Sequence, residues 1–223
     1  MSCHVIYYEN GAKMMRPVLT AAEYRNLRNT EKQKAIVSGV RKGDDKMKHR
    51  LLQMNYSCMP NEDGSLKGST QMTTTVGMDV DHIAKEQMQE VKERILAKKD
   101  ELGLLMLELS ARGEGYHLVF KRKAELSQED NLRWASDLLG VEFDKGAKDI
   151  TRVFFTTTAS EEDLIYLDDE LFINEAIAQN PERVTEHSAG CEPCVEGTST
   201  PQSSAVGATE FHNGVSLSYH DIP

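Results

Sequence analysis

The sequence predicts an α+β (mixed α/β) fold, and the order of its elements is the first observation that indicates this class. Along residues 76–158, apolar segments of strand length alternate with two amphipathic helices in the order strand, helix, strand, strand, helix, strand, strand. The second observation is size, because a 223-residue chain with 39% hydrophobic residues can form one large domain around a substantial core.

The first 70 residues are predicted to form an N-terminal α/β unit. Residues 4–8 are β-prone, and Thr20 has capping-box spacing to Glu23, which predicts a short helix from about residue 20. Residues 32–50 carry eight basic side chains when His49 is counted among them. A run of this kind is usually a solvated face, and the alternative is a surface that contacts a polyanion.

The motif-bearing core is predicted to follow in residues 71–185. Residues 82–101 favour a helix because apolar side chains recur every three or four positions. Ser127 has the spacing of a second helix start, and Gly140 is a natural helix end. Apolar and β-branched content predicts strands at 76–80, 104–109, 116–120, 141–143 and 152–158, and an acidic helix is expected at 160–179.

The last part of the chain has a different composition. Twelve of the 22 residues from 188 to 209 are Ser, Thr, Gly or Pro. A segment of this composition can bury too little apolar surface to offset the conformational entropy lost when it becomes ordered. We therefore predict one domain at 1–185 and an acidic Ser/Thr/Gly-rich linker or tail at 186–223, which can lead into a further domain.

The charge distribution leaves a nucleic-acid partner open, although the net charge of −10 first argues against one. Residues 1–70 have a net charge of +5, residues 71–157 of −3 and residues 158–223 of −12, so the acidity lies in the C-terminal segment. The sequence has no run of 18 apolar residues and no secretory signal pattern, and it contains four cysteines. We therefore expect no membrane span and a reduced, cytoplasmic location.

Two carboxylates, Asp79 and Asp81, stand at the end of the strand predicted at 76–80. Because strand side chains alternate, both carboxylates lie on one face of the sheet. Such a pair suits Mg²⁺ or Mn²⁺, which prefer oxygen ligands. The alternative is an exposed strand end at which Asp81 caps the following helix.

Two further segments carry groups that suit phosphate. Arg112 and His117 lie in or just after the glycine-rich turn at 110–117, which lacks the P-loop pattern and is otherwise a plain hairpin turn. Asp144 follows an apolar segment, and Arg152 comes eight residues later; taken alone, this is a charged loop.

Taken in order, these segments resemble the archaeo-eukaryotic primase (primase–polymerase) superfamily. They are most similar to the amino-terminal domain of VirE-like proteins, the virulence-associated E proteins of bacterial mobile elements. The similar phrases are GMDVDHI at 77–83, SARGEGYHLVF at 110–120 and KDITRVFFTTT at 148–158, and the resemblance covers about residues 4–175.

The resemblance implies a primase–polymerase fold, a mixed sheet with flanking helices, and a metal-dependent nucleotidyltransferase that acts in mobile-element or plasmid replication. Its catalytic carboxylates would be Asp79, Asp81 and Asp144, which would hold two Mg²⁺ or Mn²⁺ ions. Asp149 is the alternative to Asp144 as the third ligand. Its nucleotide-binding residues would be Ser110, Arg112, His117 and Arg152. The implied partners are a single-stranded DNA template, which the basic N-terminal stretch would contact, nucleoside triphosphates, and a helicase domain or protein.

Two other functions fit parts of the sequence. A non-catalytic nucleic-acid or nucleotide-binding module that retains the fold is suggested by Glu114, whose charge lies between the two glycines of the turn, and by the lack of a helicase segment. A sugar-nucleotide transferase would explain Asp79 and Asp81 but would give His117 and Arg152 no role.

Four residues in the C-terminal segment have the spacing of a zinc site: His187, Cys191, Cys194 and His212. The surrounding composition provides no core to frame such a site. We therefore expect two free thiols in a tail and no zinc.

Overall fold

Eight strands form two antiparallel sheets in the part of the chain that the structure, a computed structural model, describes: residues 2–156 and 160–173. The first sheet contains β1 (His4–Glu9), β2 (Ala12–Pro17), β3 (Gln53–Asn55) and β7 (Phe154–Phe155), in the spatial order β2-β1-β3-β7. The second contains β4 (Thr75–Val80), β5 (Leu104–Leu109), β6 (Tyr116–Lys121) and β8 (Leu164–Leu167), in the order β4-β6-β5-β8. The predicted α+β class is confirmed.

The first sheet begins with a tight hairpin. Asn10 and Gly11 both have positive φ, 49° and 79°, which is the backbone of a two-residue turn that matches the strand twist. Two helices follow β2: α1 (Ala21–Arg28) and α2 (Glu31–Arg41). The side chain of Thr20 accepts from the backbone N–H of Glu23 at the start of α1, as the capping-box spacing predicts.

The second sheet is covered by helices on one face. These helices are α3 (Met88–Ala97), the short α4 (Lys99–Leu102) and α5 (Gln128–Leu139). Val76, Met78 and Val80 of β4 face this layer and belong to its buried cluster. Ser127 caps α5, and Gly140 ends it with a φ of 59°, as predicted from the sequence.

The opposite face of the second sheet packs against the first sheet. Leu105, Met106 and Val119 of the second sheet share a buried cluster with Met54 and Phe154 of the first. Alternation along β4 therefore directs Gly77 and Asp79 toward the space between the sheets. A Cβ atom on Gly77 would lie 2.6 Å from the ring of Phe154, so glycine is required for the sheets to approach here.

Several predicted boundaries were wrong. Within the segment predicted as a helix at 160–179, the described residues form a 3₁₀ turn, β8 and a second 3₁₀ turn, because the apolar residues of β8 pair with β5. Residues 141–143 are irregular, since Val141 and Phe143 pack onto the cluster beneath α5 without joining a sheet. The helix predicted from residue 82 begins only at Met88, after irregular residues and a 3₁₀ turn.

Other elements were not predicted at all. They are β2, α2 and the three-residue β3. No helix in the described residues is long and apolar enough to cross a membrane. The predicted domain boundary near residue 185 and the four zinc-candidate residues lie outside the described residues.

Candidate active site

Three polar side chains form one row across the middle of the second sheet. Asp79 of β4 is directly opposite His117 of β6, and His117 is directly opposite Glu108 of β5. Directly opposed residues on neighbouring strands lie close enough for their side chains to interact. The row therefore joins two predicted site residues to Glu108, which the sequence analysis did not identify.

Glu108 is the centre of a buried hydrogen-bond network. Its Oε1 lies 2.9 Å from Nδ1 of His117, and its Oε2 accepts from Nη2 of Arg28 at 2.7 Å. The three side chains are between 0% and 5% exposed. Arg28 belongs to α1, so a helix of the first 70 residues supplies the charge that balances Glu108.

The Asp79 carboxylate is buried but incompletely paired. Its Oδ1 lies 3.7 Å from Nε2 of His117 and has no hydrogen-bond partner among the described residues. Burial raises the pKa of Asp79; His117 opposes this rise, and the Asp81 and Asp144 carboxylates add to it. An ionised Asp79 therefore favours the approach of a cation.

His117 is held between two carboxylates. Burial by itself lowers the pKa of His117, but Asp79 and Glu108 outweigh it and raise the pKa above its ordinary value. The edge-to-face contact with Phe154, at 5.6 Å between ring centroids, covers one side of the imidazole. The positively charged form of the ring is thus stabilised beside Asp79.

Asp144 and Arg152 complete the cluster. The backbone N–H of Asp144 donates to the carbonyl of Asp79 at 2.8 Å, which fixes the loop after α5 against β4. Nη2 of Arg152 lies 2.7 Å from Oδ2 of Asp144 and 4.0 Å from Oδ2 of Asp79. A Cβ atom on Gly146 would lie 2.8 Å from Nη1 of Arg152, so this glycine leaves room for the guanidinium.

Asp149, the alternative third carboxylate, lies in a different environment. Its Oδ1 accepts from the backbone N–H and the hydroxyl of Thr151, both at 2.8 Å. This arrangement stabilises the local turn. The structure therefore places Asp144, and not Asp149, beside Asp79.

The glycine-rich turn lies against the end of β4. A Cβ atom on Gly115 would lie 2.2 Å from the carbonyl oxygen of Val80, so only glycine permits this approach. The backbone N–H of Ile83 donates to the carbonyl of Glu114 at 3.1 Å. Asp81 is exposed between these contacts, and it does not cap α3, whose N-cap residue is Gln87.

The remaining predicted residues of the turn point to other partners. Ser110 is buried, and its backbone N–H donates to the carbonyl of Gly115 at 2.8 Å. The guanidinium of Arg112 pairs with Asp45 at 3.0 Å on the exposed surface. Both residues lie beside the cluster, but neither contacts Asp79 in this structure.

A cleft of about 560 Å³ opens next to Asp81 and Asp144. Val80, Ile83 and Val91 contribute an apolar lining, and Arg94 and Glu142 contribute polar groups. Most of its lining is nevertheless polar or charged and includes the carboxylates of Asp81, Glu90, Glu142 and Asp144, which suits a cation better than an apolar molecule.

The carboxylate oxygens of the site are the right type of ligand for a divalent cation, but in this structure they are not arranged around a common point. No group of three His, Cys, Asp or Glu side chains within residues 2–156 and 160–173 is close enough to hold a metal ion. Arg152 is the cation between Asp79 and Asp144 in this structure. The buried, unpartnered Oδ1 of Asp79 and the neighbouring carboxylate oxygens are the ligand type that Mg²⁺ and Mn²⁺ prefer. Metal binding would require Arg152 to leave Asp144.

Comparisons of the chain with protein-family models, with curated proteins and with solved structures found no match.

Proposed function

We propose that this protein is a metal-dependent nucleotidyltransferase of the primase–polymerase type, acting in mobile-element or plasmid replication. The observation that carries the proposal is the meeting of two carboxylates, Asp79 and Asp144, with two cationic side chains, His117 and Arg152. These residues come from three separate segments of the sequence. Together they provide groups for metal ions and for phosphate in one place.

Each group has a distinct role in this proposal. Asp79, Asp81 and Asp144 would hold Mg²⁺ or Mn²⁺, which when bound neutralises phosphate charge and activates the attacking hydroxyl. His117 and Arg152 would donate hydrogen bonds to the triphosphate. The Arg152 side chain is 42% exposed, so it is free to exchange the Asp144 carboxylate for a phosphate oxygen.

A template surface is suggested by the basic segment that follows α2. The guanidinium of Arg41 donates to the backbone carbonyl of Ala111, which places α2 beside the glycine-rich turn. Lys48 lies over the ring of Phe155 at 5.6 Å, and His49 contacts its edge. A lysine beside a partly exposed aromatic ring suits single-stranded nucleic acid, which proteins bind through backbone charge and base stacking. This favours the polyanion interpretation of the basic stretch.

The test is primer synthesis and primer extension on single-stranded DNA with Mg²⁺ or Mn²⁺ and either ribo- or deoxyribonucleotides. We expect Asp79→Ala/Asp81→Ala to abolish product, because removing metal ligands removes the stabilisation of transferring charge. The matched control is Asp100→Ala/Asp137→Ala, which removes two exposed carboxylates elsewhere. Product formation undiminished in Asp79→Ala/Asp81→Ala contradicts the proposal.

One observation favours a second candidate, a non-catalytic nucleotide-binding module. Arg152 pairs with Asp144, which neutralises a carboxylate that the first proposal assigns to metal. A protein of this second kind binds nucleoside triphosphates but forms no polymer product under any metal condition. Equilibrium binding and the extension assay, carried out on the same preparation, separate the two candidates.

A further inference from the structure

Arg28 and Glu108 are charged, fully buried and without a role in the proposed nucleotidyl transfer. Their side chains are 2% and 0% exposed, and they join α1 to the centre of the second sheet. A buried ion pair is weak evidence for a stabilising role, because the loss of hydration offsets much of its attraction. Apolar side chains would fill the same space without that cost.

We propose that Glu108 and Arg28 are positioning residues for His117, which fix a proton on Nδ1 and direct Nε2 toward the Asp79 carboxylate. This inference rests on the proposed function only in assigning His117 a phosphate to bind. It adds two residues, one from the N-terminal unit, to the machinery of the site.

The geometry around Glu108 supports a defined proton position. Arg28 is always charged, and its Nη2 donates a hydrogen bond to Oε2 of Glu108 at 2.7 Å. The Glu108 side chain is therefore held as a hydrogen-bond acceptor. Oε1 then accepts from Nδ1–H of His117 at 2.9 Å. A proton on Nδ1, held by a second group, is how proteins commonly fix the orientation of a functional histidine.

The rest of the pocket prevents the ring from turning. Phe154 contacts the imidazole at an interplanar angle of 75°, and the cross-strand neighbours of His117 are Asp79 on one side and Glu108 on the other. Rotating the ring by half a turn would break the short contact with Glu108. Nε2 therefore stays on the side of Asp79, 3.7 Å from its Oδ1.

The experiment measures the ring protons of His117 by NMR on protein labelled with ¹⁵N-histidine, with assignment by the signals lost in His117→Gln. We expect a hydrogen-bonded Nδ1–H in the wild type. In Glu108→Gln the single side-chain oxygen must face Arg28, so the amide nitrogen faces His117 and Nδ1 loses its proton. The matched control Glu170→Gln alters an exposed glutamate and should leave the His117 signals unchanged.

The same variants are then titrated with a nucleoside triphosphate and Mg²⁺. We expect Glu108→Gln to weaken nucleotide binding about ten- to a hundredfold, as loss of a supporting hydrogen bond commonly does. Unchanged nucleotide binding in a Glu108→Gln protein that has lost the Nδ1 proton overturns the inference. So does a wild-type ring without a proton on Nδ1.

Two arrangements keep the test decisive. If Glu108→Gln does not fold, Arg28→Met/Glu108→Leu replaces the ion pair by apolar groups, a change that buried pairs often tolerate. The hydrogen-bonded Nδ1–H signal should be lost there too, and its persistence contradicts the inference. A wild-type protein that binds no nucleotide contradicts the proposed function alone, because the wild-type Nδ1 proton still decides whether Glu108 orients the ring.

Discussion

Arg152 lies where a metal ion would approach Asp144, so removing its charge should strengthen metal binding in the absence of nucleotide. We consider Arg152→Met, which keeps much of the side-chain length and removes the guanidinium. In the present structure Nη2 of Arg152 is 2.7 Å from Asp144 and 4.0 Å from Asp79. A divalent cation that binds both carboxylates must first displace this group.

The magnitude follows from the exposure of the pair. The Arg152 and Asp144 side chains are 42% and 32% exposed, and ion pairs of this kind contribute about 0.2–1 kcal/mol. Arg152 also has a second, longer interaction with Asp79, which adds to the first. We therefore take the upper end, about 1 kcal/mol, as the free energy needed to displace the guanidinium. By the relation between free energy and affinity, Mn²⁺ should bind Arg152→Met about fivefold more tightly.

The assay is calorimetric or spectroscopic titration of the free protein with Mn²⁺ at low ionic strength. Arg133→Met is the matched control, because Arg133 also pairs with a partly exposed carboxylate, that of Glu129, but belongs to α5 and forms no ion pair with Asp79 among the described residues. It corrects for the change in net charge. Nucleoside triphosphate binding with metal present should change in the opposite direction and weaken in Arg152→Met, since the phosphates lose a donor.

An Mn²⁺ affinity in Arg152→Met that equals or falls below that of Arg133→Met refutes this reasoning. It would mean that Arg152 does not compete with a cation for Asp144. Unchanged nucleotide binding would further show that the guanidinium does not move to the phosphate.

Three further predictions concern the framework of the site. Gly115→Ala should destabilise the fold by about 3 kcal/mol and reduce activity, because the new Cβ meets the Val80 carbonyl. Gly77→Ala should lower the free energy of unfolding by about 2 kcal/mol, because the new Cβ meets the ring of Phe154. The loss should be at most half as large when Phe154→Leu is already present, because the smaller side chain makes room. Stability should fall as the pH rises from about 4 through the raised pKa of Asp79, since the folded state binds more protons in that range. Asp79→Asn should remove this dependence.

Urea unfolding measures all three. Equal stability of Gly115→Ala and wild type would contradict the close approach of the turn to β4. Additive costs of Gly77→Ala and Phe154→Leu would show that the two side chains do not share space. A pH dependence that persists in Asp79→Asn would assign the linkage to another group.

The elements that the sequence predicts well are those with a strong local signal. The strands β4, β5 and β6 are mostly apolar, and α5 has both a serine cap and a glycine end. The short strand β3 has only three residues, too few for a period to be recognised. The sequence predicts an acidic helix over the residues of β8, whereas pairing with β5 decides its structure.

The residues of the candidate site also fall into two groups, those that the sequence identifies and those that only the structure identifies. Asp79, His117 and Asp144 stand out in the sequence because each is polar next to an apolar segment or a turn. Glu108 also interrupts an apolar strand, and that interruption was the available signal. Its partner Arg28 lies 80 positions earlier in the chain and has no local feature that distinguishes it from other helical arginines. Only the strand register and the packing of α1 bring the two together.

Charge alternates along the network from its buried to its exposed end, through Arg28, Glu108, His117, Asp79, Arg152 and Asp144. Each buried charge has an opposite charge next to it, which is the condition under which charged groups are tolerated inside a protein. At the exposed end, Asp81 and Asp144 meet solvent and Arg152 is the only one of the six that is more than 40% exposed. Exchange of cations is therefore easiest at that end, whereas the buried end holds its geometry. A fixed histidine behind an exchangeable arginine is an arrangement suited to binding a metal-associated triphosphate.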